Sequence, residues 1–304
     1  MMAVRNEAWV LGLSVRVALE WCDHLVIREH ASFDHSQDLL RSLQRQNKDR
    51  ITLSCHPDPK WDEMAHRQDM LYEARSHGAT HLAIIDADEI LTGNVVRKMR
   101  AVVVSTNQHY AVPYHPDSPV SFVTTPIIEL PGYNLRYGIN RYHSNGIWGN
   151  RWFSVAFQNR ADLNWSGDTF HSRAPQGRPP LAPVRPIPQG EGGIMHLWGM
   201  SERRLVAKHA LYKMTETLRW PEKSMPEIDR MYSQAVFPKA NLNFDQEWEF
   251  KDVPESWWAP YEHWLKYLDM TAVPTQEQDC QELVAIHGID RFAGLDLFGV
   301  VKQK

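Results

Sequence analysis

The chain has 304 residues, 43% hydrophobic and 23% charged, with a formal net charge of −4. That is enough chain for one large folded domain, or a domain with an appendage, and it excludes a global field that would draw the protein to nucleic acid or anionic lipid, though a local basic patch stays open. Three widely spaced cysteines, Cys22, Cys55 and Cys280, exclude a disulfide framework or a zinc spacing and fit buried small hydrophobes in a reducing compartment.

Residues 1–4 read as a short apolar strand. Asn6 is placed to cap a helix carrying Trp9, Val10, Leu13 and Val17 at helical spacing. Leu25-Val26-Ile27 reads as a second buried strand, and Asp34 or Ser36 is placed to cap a helix with Leu39, Leu40 and Leu43. Residues 51–55 make a third strand, ended by His56-Pro57-Asp58-Pro59. A helix follows over about 62–77, with Met64, Gln68, Leu71 and Ala74 on one stripe and Gly78 at its end. No stretch approaches the roughly 18 apolar residues of a membrane helix, and no signal-peptide pattern precedes Arg5, so a cytoplasmic protein without a membrane span is expected.

Next comes His81-Leu82-Ala83-Ile84-Ile85-Asp86-Ala87-Asp88-Glu89, an apolar run that ends in acids. The run suits a strand buried on both faces of a parallel sheet, and the acids then fall at its carboxyl end, where open α/β sheets place ligands. In an extended segment Asp86 and Asp88 point to the same side. Two converging carboxylates call for a cation, and Mg²⁺ or Mn²⁺ with a diphosphate completing its ligands fits best. The competing reading is an acidic loop that merely favours the start of the next helix, which begins at Thr92 or Asn94 and carries Val95, Val96 and Met99.

The alternation predicts a right-handed, mostly parallel α/β sheet over 1–110. Strand patterns without intervening helices predict a mixed-sheet half over 111–200, with a Pro/Gly/Arg-rich loop at 173–193 that reads as a lid or as a linker. Ser201 opens a strong helix, and residues 201–304 read as a helical, aromatic-rich region. There Pro260 is placed to start a helix with Tyr261, Trp264, Leu265 and Leu268 on a core-facing stripe, which makes the segment structural; the alternative reading makes Trp258, off the stripe, an exposed acceptor platform.

Four stretches together resemble the family 2 glycosyltransferases, which have the GT-A fold: Val4-Arg5-Asn6-Glu7-Ala8; residues 26–34; residues 78–89, similar to the family's metal-binding DXD segment; and His196-Leu197-Trp198 with Ser201, Arg203, Lys208 and Tyr212. The likeness covers about 1–110 well and 150–215 loosely. One departure is Glu29-His30-Ala31-Ser32, where the family has two acids, a glycine and a serine. The resemblance implies a donor site with Arg5, Asn6, Glu7, Glu29, Arg67 and Asp86, and Mn²⁺ or Mg²⁺ on Asp86, Asp88 and His196. It implies a catalytic base on the acceptor face, for which Asp168 is the first candidate and Glu129 the second.

The expected function is metal-dependent, inverting glycosyl transfer from a nucleotide-sugar donor, UDP-sugar favoured, to a hydroxyl of a glycan or envelope precursor. A hydroxylated base in modified DNA of viral type is the less usual acceptor, with the loop arginines and Arg151 and Arg160 meeting phosphates. A nucleotidyltransferase is one alternative, weakened by the lack of a glycine in Arg5-Asn6-Glu7-Ala8. A non-catalytic nucleotide-sugar-binding module is another.

Overall fold

The structure, a computed structural model, describes residues 1–59, 62–105, 110–113, 121–167, 173–178, 180–236 and 248–301. The chain opens with alternating strands and helices: β1 (Met2–Val4), α1 (Ala8–Leu19), β2 (Leu25–His30), α2 (Ser36–Gln46), β3 (Ile51–His56) and α3 (Glu63–Ser76). The three strands pair in parallel in the order β1-β2-β3. They do so with Leu25, Val26 and Ile27 buried in the middle strand, where Val26 shares a core with Met64, Met70 and Leu71 of α3. Asp62 caps α3 by accepting from the Ala65 amide at 3.0 Å. The α1 cap differs from expectation: Glu7 takes the cap position, and Asn6 stands before it at φ +55°.

Then come β4 (His81–Ala83), β5 (Glu89–Leu91) and α4 (Gly93–Val104), followed by β6 (Tyr110–Pro113), β7 (Ser121–Asn134), β8 (Arg141–His143), the short α5 (Gly146–Gly149), β9 (Arg151–Gln158), β10 (Leu181–Val184) and β11 (Ile194–His196). The order β4-β9-β7-β11-β5 forms a mixed sheet, with β4 and β7 both antiparallel to β9. The all-parallel setting expected for the acidic strand is therefore corrected on one side. On the other side the Met1 nitrogen donates to Ala83 O at 2.8 Å and Met1 O accepts from Ile85 N at 3.2 Å. These two bonds straddle Ile84 in the parallel pattern. Inside the proline-rich stretch, Leu181–Val184 forms a strand parallel to β7. A strand can tolerate Pro183 at an edge, where no partner needs its missing amide.

Two compact units arise from this chain. One holds Met1–Gly132, Arg151–Met195 and Pro254–Leu268. Its core includes Val26, Met70, Leu71, Leu82, Ile84, Ile127, Phe157 and Trp165. The C-terminal piece of this unit is α8 (Glu255–Trp258) and a 3-10 helix, Ala259–Tyr267, where a single α-helix from Pro260 was expected. A 3-10 helix eclipses positions three apart, so Tyr261 and Trp264 stack with ring planes 11° apart. Gly12 lets this segment lie on α1, since a Cβ there would stand 2.7 Å from Tyr267 Cβ. Trp258 is buried, 7% exposed, which agrees with the structural reading of this segment and excludes the alternative of an exposed platform.

The other unit holds Tyr133–Asn150, His196–Val253 and Asp269–Lys304. It contains β8 paired antiparallel with β12 (Phe250–Asp252), and the helices α6 (Glu202–Arg219), α7 (Met225–Ser233) and α9 (Gln276–His287). Ala210, Met214, Ile228, Cys280 and Phe292 form its core. Of the cysteines only Cys280 is buried; Cys22 is half-buried, and Cys55 is exposed near the end of the edge strand β3. Among the described residues no helix is long and apolar enough to cross a membrane.

Candidate active site

The carboxyl ends of β1 and β2 are tied to each other by reciprocal bonds. Asn6 N donates to Ser32 Oγ and Phe33 N to Asn6 Oδ1, both at 2.9 Å. Glu7 N donates to Ser36 Oγ at 2.9 Å, and Asp34 accepts from the amides of Ala8 and Ser36. Asn6 needs a left-handed backbone for this, and asparagine tolerates it. Glu29 is fully buried, and its carboxylate accepts from Ser32 N at 2.6 Å and Gln37 Nε2 at 3.0 Å. These bonds hold the turn that follows β2. Ala31 occupies the place where the resembled family has glycine, and it adopts φ +44°. Arg5 Nη1 lies 3.4 Å from Pro59 O.

The acids after β4 are not extended. Glu89 N donates to Asp86 O at 3.0 Å, which closes a turn over Asp86-Ala87-Asp88-Glu89. The two-residue alternation expected of Asp86 and Asp88 is corrected accordingly. The Asp86 side chain is 37% exposed, while Asp88 is buried at 5%.

Two arginines converge on this turn. Arg67, on α3 and 4% exposed, donates through Nε to Glu63 Oε1 at 2.9 Å and through Nη2 to Asp86 Oδ1 at 3.5 Å. Arg173 Nη1 lies 3.0 Å from Asp86 Oδ2 and 2.7 Å from Glu89 Oε1. Arg173 also donates to the carbonyls of Ile84 and Ser154, and its guanidinium lies over the Phe153 ring. Burial alone would lower the Arg173 pKa, but the charges of Glu89 and Asp86 outweigh it and hold the group above its ordinary value. Sequence reasoning placed Arg173 in a lid over phosphates; the structure places it among carboxylates. Nothing local in the sequence signals this, because the partners lie in β4–β5 and the contact forms only on folding.

Glu129 lies at a register shift in β7, between Ile128 and Glu129, where a bulge re-aims side chains. Its Oε2 accepts from Arg185 Nε at 3.0 Å and its Oε1 from Ser154 Oγ at 3.4 Å. Arg185 also lies over the Trp152 ring, 4.5 Å from its centroid. Arg160 pairs with Asp162 at 2.7 Å. Asp168 lies outside the described residues. His196 ends β11, half-buried, with its ring 5.7 Å from that of Trp198. It belongs to the second compact unit, whereas Asp86 and Asp88 belong to the first. A cleft lined by Trp21, His24, His77, Gly78 and Arg100 lies at the opposite, amino-terminal edge of the strands and holds none of the candidate residues.

No family profile matches the chain and no curated protein matches it. Among solved structures, residues 1–349 of S. aureus TarS are similar at 10% identity and a TM-score of 0.40, over 96% of this chain and 87% of that one. The TarS complex with UDP-GlcNAc matches at 10% identity and a TM-score of 0.42, and the complex with UDP at 9% and 0.42, each over 96% of this chain and 88% of that one.

Proposed function

We propose that the chain is a glycosyltransferase of the GT-A kind, moving a sugar from a nucleotide diphosphate donor to an acceptor hydroxyl. The observation that carries the reading is the acidic turn Asp86-Ala87-Asp88-Glu89 at the carboxyl end of its strand, with Arg67 and Arg173 gathered on it. Counting Glu63 and Asp88, four carboxylates accompany two guanidiniums, an excess equal to the charge of one divalent ion. Asp86, the exposed member, and Asp88 would hold Mn²⁺ or Mg²⁺, which usually binds through one or two carboxylates plus substrate phosphates. Such an ion supplies positive charge where the leaving diphosphate becomes more negative.

The chain's own residues have separate tasks. Arg67 and Arg173 fix the acidic turn, and the Asn6–Ser32 zipper holds the two turns beside it. The acceptor oxygen attacks the anomeric carbon, the bond to the diphosphate oxygen breaks, and the acceptor proton passes to a carboxylate. Asp168 or Glu129 takes that proton; Glu129 must first release Arg185, which now occupies its Oε2. The resemblance favours a UDP-sugar as donor and a glycan as acceptor.

A second reading rests on the ion pairs themselves. Arg173 already pairs with both Asp86 and Glu89, so the guanidinium can stand in for the ion and leave donor binding independent of metal. A thermal-shift screen of nucleotide sugars with Mn²⁺ and with EDTA tests both. Selective stabilisation by one donor supports the function, and its loss in EDTA separates the first reading from the second. No stabilisation by any nucleotide or nucleotide sugar would remove the proposal.

A further inference from the structure

Beside the acidic turn lies a cluster that the proposed chemistry does not use. His30 ends β2, His56 ends β3 and His66 lies one turn into α3. Their ligand atoms all lie within 4.8 Å of one another, the one such group of three or more among the described residues. The ring centroids of His30 and His66 are 4.5 Å apart, those of His56 and His66 5.2 Å, and those of His30 and His56 5.8 Å. We propose that His30, His56 and His66 form a binding site for one transition-metal ion of Zn²⁺ type, distinct from the carboxylate site at Asp86 and Asp88.

The donor set selects the metal. Three imidazoles suit borderline ions such as Zn²⁺, whereas Mg²⁺ and Mn²⁺ prefer oxygen. With Zn–N bonds of about 2.0–2.1 Å, two nitrogens on a tetrahedral ion stand about 3.3 Å apart. Small ring rotations bring the present spacing to that value, since the three backbones are already converged by the β2–β3 ladder and by α3. Two of the rings are buried, His30 fully and His66 at 3% exposure, and His56 is half-buried, so an ion would keep a fourth position toward the open side. Burial, together with His30, Arg28 and His56, lowers the His66 pKa to about 4, so the ring is a neutral ligand at pH 7. Arg28, whose charge acts on His66, is directed elsewhere: its guanidinium bonds Asp69 at 2.9 Å and Ser54 at 3.2 Å. An ion here would clamp the turn after β2 to α3, one residue before Arg67, and so brace two of the elements that shape the candidate donor site.

Metal content and stability test this without any activity assay. The purified full-length chain, stripped with EDTA and desalted, receives ZnCl₂ and is desalted again; bound zinc is counted by mass spectrometry and the melting temperature recorded. One zinc per chain and a raised melting temperature are expected. In His56→Gln, the half-buried ligand and the variant that perturbs the core least, zinc affinity should fall by about 100-fold or more. Asp86→Asn and Asp88→Asn should keep the zinc, so failure of the donor-site reading leaves this one standing, and the reverse. Co²⁺ should give the visible bands of a four-coordinate site with three nitrogen ligands, lost in His56→Gln. Failure of the wild-type chain to retain zinc overturns the proposal, as does equal retention by His56→Gln, which would mark an adventitious ion elsewhere.

Discussion

Arg173 Nη1 lies 2.7 Å from Oε1 of Glu89, a carboxylate side chain only 1% exposed. A buried ion pair of this kind adds little net stability against an apolar substitute, but removing one partner strands the other charge away from water. Arg173→Met should therefore destabilise the protein by about 3–5 kcal/mol. Adding Glu89→Gln should recover part of that loss, because the stranded charge is gone. Urea unfolding of the two single variants and the double variant checks this; equal losses with no coupling would place the two groups in separate environments. The same burial makes Arg173 a poor protease site with or without donor, contrary to a lid that opens there.

The exposed and buried acids of the turn should behave differently. Asp86→Ala removes a carboxylate held by two arginines and open to solvent, so donor binding should weaken with a small change in melting temperature. Asp88→Ala should abolish metal-dependent donor binding and also lower stability, because Asp88 is buried. Calorimetric titration of a UDP-sugar with Mn²⁺ into each variant reads the first effect, and thermal melts read the second. Wild-type affinity in both variants would detach the turn from the donor.

Ala31 stands at φ +44°, where an L side chain costs about 1–2 kcal/mol. Glycine relieves that strain but loses about 0.5–1 kcal/mol in chain entropy. Ala31→Gly should therefore stabilise the protein by about 0.5–1 kcal/mol. Chemical denaturation measures it, and a loss of stability would show that the Cβ of Ala31 makes contacts worth more than the strain.

The second compact unit should lose stability in acid. His143 and His209 are buried, and burial pushes both pKa values down to about 3. His143 Nε2 accepts from Arg136 Nε at 2.9 Å, so a proton there would break the bond and set two cations together. Arg136 is itself fully buried, close to Trp198 and Trp248. A folded-state value below the ordinary 6.5 means that the unfolded chain binds the proton first. Stability is thus full above about pH 6.5 and falls as pH drops from there toward 3, by up to about 1.4 kcal/mol per pH unit for each ring. Melts at pH 7 and pH 5 should show the drop, and His209→Gln should flatten it. A melting temperature independent of pH over that range would contradict the buried neutral rings.

How much of this was legible beforehand follows from the range of the interactions. The β-α alternation of the first hundred residues showed in the apolar periodicity, because strands and helices bury local stripes. The acidic turn showed because an apolar run ends abruptly in Asp86-Ala87-Asp88-Glu89. Its internal geometry did not, since the Glu89-to-Asp86 backbone bond replaces the extended form that the alternation rule assumes. Arg173 and the three histidines were invisible as sites because their partners come from distant segments. Of the two readings of the aromatic C-terminal segment, the structural one holds at Trp258, because Glu255–Trp258 folds as α8 and buries both of its tryptophans.

Release of UDP from a UDP-sugar, with acceptor and Mn²⁺ present, tests the central claim most directly when wild type and Asp88→Ala are compared. The wild type should yield UDP and a glycosylated acceptor and the variant neither, with circular dichroism showing the variant still folded. UDP release by folded Asp88→Ala at the wild-type rate would contradict the account, as would a wild type that neither binds nor cleaves any nucleotide sugar.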